Sequence, residues 1–387
     1  MDVASNPFRP GAGTRPPELV GRDALLTSFD DALGRARSCR PGKSQFVVGL
    51  RGVGKTVLLN EFQRRAEKSG AAVAYLEATE EGSFRSLLAS KLRGLLLRKS
   101  AGGVAKRAYT TALQALKSFA WTLPDGTTIQ VGVEAMPGLA DSGVLADDLT
   151  DLLVTLGEAF KEDGSALVIV IDELQYLNED ELGSIIMAVH RTNQLDLPVL
   201  VVGAGLPQLP GLAGEARSYA ERLFDYPELG ALTPIDARAA LDAPAREAGA
   251  VFSEEALTAI YERSLGYPYF LQEWGYHVWG SAATQRIDLA DVEAAAPLVR
   301  QQLDNNFFRV RLDRLTPKER EYMAAMAVLG PGPHRSGDVA TQLGVQVQSI
   351  APRRSALIKK GMIYSPSHGD TAFTVPMFDE FMRRQGA

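Results

Sequence analysis

The chain has 387 residues, of which 45% are apolar and 23% charged. That composition excludes global disorder and provides material for two or three domains of about 150 residues each. The 41 Lys and Arg against 47 Asp and Glu give a net charge of −6, which excludes a chain that is basic throughout. The single cysteine, Cys39, excludes an intrachain disulfide and a cysteine zinc centre, and the four histidines lack metal-ligand spacing. The chain shows neither a signal-peptide pattern nor an apolar run of about 18 residues, so a cytoplasmic protein with no membrane segment is expected.

Residues 1–20, rich in Pro, Gly and Arg, predict an irregular arm. A helical pattern follows at Leu25, Leu26, Phe29 and Leu33. Gln45-Phe46-Val47-Val48-Gly49, an apolar run ahead of glycines, predicts a buried strand. Val57, Leu58, Phe62 and Ala66 predict a helix over 55–69, and Ala71–Leu76 a second strand. A helix is expected over 83–98. The stretch 100–143 is set apart as an insertion, with a hairpin over 121–131 turning at Asp125-Gly126. Helix 144–162 then leads into Ala166–Ile171, the most apolar strand of the chain. A helix over 180–194, a strand over 198–203 and a last strand at Tyr226–Leu229 complete the alternation. Strands alternating with helices predict an α/β domain with a parallel sheet. Beyond Pro234 the pattern is helical.

Two motifs carry chemistry. Gly49-Leu50-Arg51-Gly52-Val53-Gly54-Lys55-Thr56 fits the phosphate-loop pattern G-x-x-x-x-G-K-[ST]. Its glycines allow backbone N–H groups to turn inward as an anion nest, and the next helix offers its positive end. Lys55 would reach the β- and γ-phosphates, and Thr56 would ligate Mg²⁺. The second motif is Ile169-Val170-Ile171-Asp172-Glu173. An apolar strand delivers Asp172 at its C-terminal end, where ligands of open α/β sheets bind. Asp172 would hold the Mg²⁺, and Glu173 would orient and polarise the attacking water.

With both motifs in order, the chain resembles the additional-strand P-loop NTPases, within them the branch joining Orc1/Cdc6-like AAA+ ATPases to STAND and archaeal-type ATPases. Leu19-Val20-Gly21-Arg22-Asp23 resembles the segment lining the adenine pocket, Asp172-Glu173-Leu174-Gln175 the archaeal-type acidic motif, and Gly266-Tyr267-Pro268 the G-x-P lid motif. The resemblance implies an ATP or ADP site formed by Val20, Gly21, Arg22, Gly49, Gly52, Val53, Gly54, Lys55, Thr56, Val57 and Pro268. It also implies an inter-subunit arginine in Ala220-Glu221-Arg222-Leu223-Phe224, with Arg222 ahead of Arg217 for that catalytic role in a nucleotide-dependent homo-oligomer. The chain departs from the pattern twice. No polar sensor residue stands in Val202–Pro207 after the fourth core strand, and Tyr269 stands where the lid's second sensor is commonly an arginine. Such missing charges imply slow basal turnover.

Residues 316–387 carry 9 Lys and Arg against 6 Asp and Glu, a charge of +3. Thr316-Pro317 predicts a capped helix start, and three helices followed by a turn at Ser365–Thr371 resemble a winged helix-turn-helix. Val339, Leu343, Val345, Ile350, Leu357 and Ile358 suit its small core. Arg353, Arg354, Lys359 and Lys360 lie on or beside the presumed recognition helix, where duplex DNA would be met. The wing itself has no Lys or Arg, and such modules also serve protein contact. The expected layout is an arm and ATPase core over 1–233, a helical lid over 234–303 and a winged helix over 304–387. The expected function is a Mg²⁺-dependent ATPase whose nucleotide state controls a DNA-associated winged helix. The alternative is a STAND-type switch with slow turnover that uses the winged helix for a protein partner or autoinhibition.

Overall fold

The computed structural model describes residues 1–100, 105–121 and 133–386. In chain order the core elements are α1 (Asp23–Arg37), β1 (Ser44–Val48), α2 (Lys55–Lys68), β2 (Ala72–Glu77), α3 (Phe84–Ser100), α4 (Lys106–Trp121), α5 (Leu145–Glu162), β3 (Leu167–Asp172), α6 (Glu179–Gln194), β4 (Val199–Gly205), α7 (Leu209–Ala216), α8 (Ala220–Leu223) and β5 (Phe224–Asp225). After them come α9 (Pro234–Glu247), β6 (Val251–Phe252), α10 (Glu254–Ser264), α11 (Pro268–Ser281), β7 (Arg286–Ile287), α12 (Leu289–Gln302), a π-helical turn over Leu303–Arg309, and α13 (Val310–Leu312). The chain ends in α14 (Pro317–Leu329), β8 (His334–Arg335), α15 (Ser336–Gln342), α16 (Val347–Lys359), β9 (Ile363–Tyr364), β10 (Asp370–Phe373) and α17 (Phe378–Arg384). These elements fall into two compact units. One, the sheet unit, holds residues 24–48 and 58–228; the other, the lid unit, holds residues 1–23, 49–57 and 229–387.

The sheet unit is built on five parallel strands in the order β2-β3-β4-β1-β5. Every residue of β1, β3 and β4 is buried, as expected for a parallel sheet covered by helices on both faces. The strand expected over Tyr226–Leu229 is reduced to a single parallel bridge between Val48 and Glu228, and the named strand at this edge is Phe224–Asp225. Pro227 has no N–H for a ladder, so it only accepts from Val48 N at 3.0 Å, while Phe224 stacks on Phe46 at 4.1 Å.

Helix α4 was not expected from the sequence, which reads 100–143 as an insertion around a hairpin. Its apolar face, Tyr109, Ala112, Leu113, Leu116 and Phe119, is buried in the core of the sheet unit. Asp163 at the end of α5 accepts from Lys99 Nζ at 2.8 Å and Tyr109 Oη at 2.9 Å, tying three helices together. Asp148 and Arg85 form a buried pair at 2.5 Å, with the guanidinium 4.5 Å from the Phe119 ring centre. Of the expected hairpin, residues 122–131 lie outside the described residues.

The lid unit has its own core. Helices α9 and α10 are capped by the Thr233 and Ser253 side chains. The arm is anchored here. Phe8 is buried against Gly275 of α11, edge-on to Phe252 and Trp279, and Arg9 N donates to Gln272 Oε1 at 3.0 Å. Gly275 suits this contact because a Cβ there would lie 2.5 Å from the Phe8 ring. A run of rings, Tyr269, Phe307, Phe270, Phe308 and Phe381, carries this core into the C-terminal elements.

In the C-terminal elements, β8, β10 and β9 form a three-stranded sheet in that order. Helix α14 starts as the sequence predicts, with a capping box between Thr316 and Glu319. Val339, Ile350 and Leu357 are buried, and Leu343 and Ile358 are half-buried. Val345 is corrected from the expected core. It stands exposed in the turn that Gly344 opens at φ 66°.

Candidate functional site

The parallel register brings the ends of β1, β3 and β4 to one edge of the sheet unit. Val48 pairs with Gly205, and Ile171, one residue before Asp172, pairs with Gly203. The chain leaves that edge at Gly49 and enters the phosphate loop.

The loop is described within the lid unit. Gly52 and Gly54 have φ of 85° and 94°, a region that L side chains rarely adopt. A Cβ on Gly54 would meet nothing within 4 Å, so the backbone there is open to a ligand. Val53 is buried, and Lys55 begins α2, followed by Thr56 and the half-buried Val57. Lys55 is 7% exposed, and its Nζ donates to Gly49 O at 2.8 Å and Leu50 O at 2.9 Å. The ammonium is thus held over the loop by the loop's own carbonyls. These features fit a phosphate chain: an inward nest, a fixed cation and a helix start.

Residues around the loop hold its shape. Arg22 Nη2 donates to Val53 O at 3.3 Å and Gly230 O at 2.9 Å. Burial pushes its guanidinium below the ordinary value, and nearby Asp236 partly offsets this. Arg22 therefore staples the arm to the loop through backbone oxygens. Gly21 has φ 68°, and a Cβ on it would lie 2.8 Å from Asp236 Oδ2; Val20 packs on the lid core. Pro268 opens α11, which lets the next residue, Tyr269, donate its N–H to Gly52 O at 3.2 Å. The Tyr269 ring stacks on Phe307, and the Arg311 guanidinium also lies 4.2 Å from the Phe307 ring centre. The Tyr269 hydroxyl donates to Glu273 at 2.8 Å, and burial pushes that carboxyl up.

The C-terminal elements also reach the loop. Arg51 N donates to Thr374 O at 2.9 Å, and Arg51 Nε to Gly361 O at 3.4 Å. Thr374 is fully buried, and its hydroxyl donates to Gly361 O at 2.6 Å. Sequence reasoning missed both this contact and Arg311. The Arg51 contact has no local signal, since its partners lie more than 300 residues away in the chain.

The acidic motif belongs to the sheet unit. Asp172 ends β3 and is 2% exposed. One carboxylate oxygen accepts from Glu173 N at 2.9 Å and the other from the Tyr75 hydroxyl at 3.3 Å. Burial and the Asp172 charge push the Tyr75 hydroxyl up, so it stays a donor. A buried carboxylate with hard oxygen atoms fits a divalent cation such as Mg²⁺. Glu173 has φ 55° and ψ 42°, uncommon for a residue with a Cβ, and the chain turns sharply after it. Arg222 sits exposed on the short α8, and Asp225 nearby is paired with Lys43 at 2.5 Å.

Residues 18–202 match the AAA ATPase domain. Over that stretch the chain carries an AAA ATPase domain, with the parallel α/β core of a P-loop NTPase. Residues 305–382 match a domain of unknown function. A Walker-type ATPase, PABY2304 of Pyrococcus abyssi, is similar in fold over 97% of this chain and 98% of its own, with a TM-score of 0.60 at 15% identity. Orc1 of Aeropyrum pernix, solved in complex with DNA, covers 96% and 94% at 16% identity and a TM-score of 0.47. The RuvB Holliday junction branch migration motor of Thermotoga maritima covers 93% and 96% at 16% identity and a TM-score of 0.44. No curated protein sequence matches the chain.

The four basic residues expected to meet DNA are largely engaged within the chain. Arg354 donates to Thr371 Oγ1 at 3.0 Å, Ser365 Oγ at 2.7 Å and Asp370 O at 2.8 Å, closing the β9–β10 hairpin onto α16. Arg353 lies 3.8 Å from Glu321, and Lys360 binds Glu319 at 2.7 Å. Lys359 is exposed. Among the described residues no helix is long and apolar enough to cross a membrane.

Proposed function

We propose that this ATPase couples its nucleotide state to the C-terminal elements, which we read as a winged helix acting as the output of a switch. The observation that carries this is the bond from Arg51 N to Thr374 O, between the phosphate loop and the chain that follows β10. A loop that reshapes around phosphates moves that donor. In this reading Gly49, Gly52, Val53, Gly54 and Lys55 hold the phosphates, and Val20, Gly21, Arg22, Val57 and Pro268 line the rest of the nucleotide site. Thr56 and Asp172 would hold Mg²⁺, which would supply charge neutralisation on the phosphates. Glu173 would orient and polarise the attacking water. Arg222, exposed on α8, is offered to a neighbouring copy in a nucleotide-dependent oligomer, and basal turnover is slow.

The engagement of Arg353, Arg354 and Lys360 within the chain favours a protein-facing or autoinhibitory output, as in STAND-type switches. Duplex DNA is the second reading. It is supported by the exposed face of α16, with Gln348, Ser355 and Lys359, and by the charge of +3 over residues 316–387. Two measurements test these readings. ATP hydrolysis with Mg²⁺ should vanish in Lys55→Ala, and retained turnover overturns the site. Duplex DNA titrated from about 50 to 200 mM salt should bind weakly or not at all; tight binding with a steep salt slope selects the DNA reading.

A further inference from the structure

The end of β4 reads Gly203-Ala204-Gly205-Leu206, with no polar side chain where AAA+ cores commonly place one. The structure supplies a polar group there from another element. The turn after Glu173, over Leu174–Tyr176, folds back onto β4. Its approach requires the glycines. A Cβ on Gly203 would lie 2.6 Å from Leu174 Cδ1 and 2.7 Å from Ile171 O, and one on Gly205 would lie 3.2 Å from Gln175 Oε1. The left-handed backbone at Glu173 aims the turn in this direction.

The Gln175 carboxamide then bridges two groups. Its Oε1 accepts from Leu206 N at 3.1 Å, and its Nε2 donates to Glu173 Oε2. The orientation of the amide follows from the chemistry. A backbone N–H only donates, so the amide oxygen must face Leu206. The NH₂ is left for the carboxylate, which accepts.

We propose that Gln175 is a positioning residue for ATP hydrolysis, holding the Glu173 carboxylate against the end of β4 and so replacing a polar sensor side chain on that strand. This rests on the reading of Glu173 as the group that orients and polarises the attacking water. Glu173 is held at one oxygen by a donor that is itself fixed to the sheet, so the carboxylate keeps one direction while the strand exit stays sharp. A shorter amide does not span both partners.

The test is steady-state ATP hydrolysis by the full chain carrying Gln175→Glu, Gln175→Ala, Glu173→Gln and the double variant Glu173→Gln/Gln175→Ala. Gln175→Glu keeps an acceptor for Leu206 N, loses the amide donor to Glu173 and sets a second carboxylate beside it, while Gln175→Ala removes the donor without adding charge. Their kcat should fall about 10- to 100-fold with KM for ATP within about twofold, because misplacing a catalytic group slows the step without weakening binding. The double variant should be no slower than Glu173→Gln alone. Normal kcat in Gln175→Glu beside a slow Glu173→Gln overturns the positioning role alone. Full additivity in the double variant does the same. Normal turnover in Glu173→Gln instead overturns the reading of Glu173 on which the proposal stands.

Discussion

Lys55 in the phosphate loop and Arg354 in the C-terminal elements are both cations held by oxygens of their own chain, one within a local motif and the other across a hairpin. Lys55 is held by Gly49 O and Leu50 O, five and six residues away. Arg354 is held by Ser365, Asp370 and Thr371, 11 to 17 residues away across a hairpin. A local motif fixes where a side chain goes, because glycine dihedrals and a helix start define the cage. Net charge in a module says nothing of which carboxylates and carbonyls its cations meet. The comparison sets a cation that we propose meets phosphates against one that closes a hairpin, and substitutions test it.

The largest effect is expected at the phosphate loop. Lys55→Ala should lower ATP affinity by about 100-fold or more, read by nucleotide titration, with the melting temperature of the free protein little changed. Glu173→Gln should slow turnover by about 100- to 1,000-fold while ATP stays bound, read in single-turnover assays. Arg354→Ala should behave in the opposite way to Lys55→Ala. It should cost about 2–3 kcal/mol of stability, from three bonds to a charged donor, and leave ATP affinity intact.

A smaller effect concerns pH. Burial pushes the Glu319 carboxyl up, but bonds from Lys360 and Thr316 outweigh it and hold the group below its ordinary value. Its stabilisation is therefore complete above the ordinary carboxylate range and is lost as pH falls through the lowered value. Glu319→Gln should flatten the fall in melting temperature between about pH 5 and pH 2. Lys359→Ala should be the mildest, within about 0.5 kcal/mol, because the side chain is exposed. If that variant alone abolished a measured DNA affinity, the basic character of the module would point to duplex DNA.

The parallel core was legible because β1, β3 and β4 each hold a short continuous apolar run, followed by a helical pattern. The phosphate loop and Asp172-Glu173 were legible for the same reason: their geometry is dictated by neighbours in sequence. Helix α4 was obscured by flanking glycines and by a strand-like composition downstream. The last strand shifted to Phe224–Asp225 because Pro227 has no N–H to give a ladder, which leaves a single bridge at Glu228. Arg22 reads as a nucleotide contact in the sequence, yet its bonds go to Val53 O and Gly230 O, which only the fold brings together. Gln175 sits inside a motif quoted for its acidic pair, and its partner at Leu206 is 31 residues away.

The coupling of the phosphate loop to the C-terminal elements is tested most directly by amide hydrogen exchange. Peptides covering Gly361 and Thr374 should change protection when ATP and Mg²⁺ are added, and Lys55→Ala should remove that response. Exchange that stays the same in the unmodified chain while ATP is bound would contradict the account.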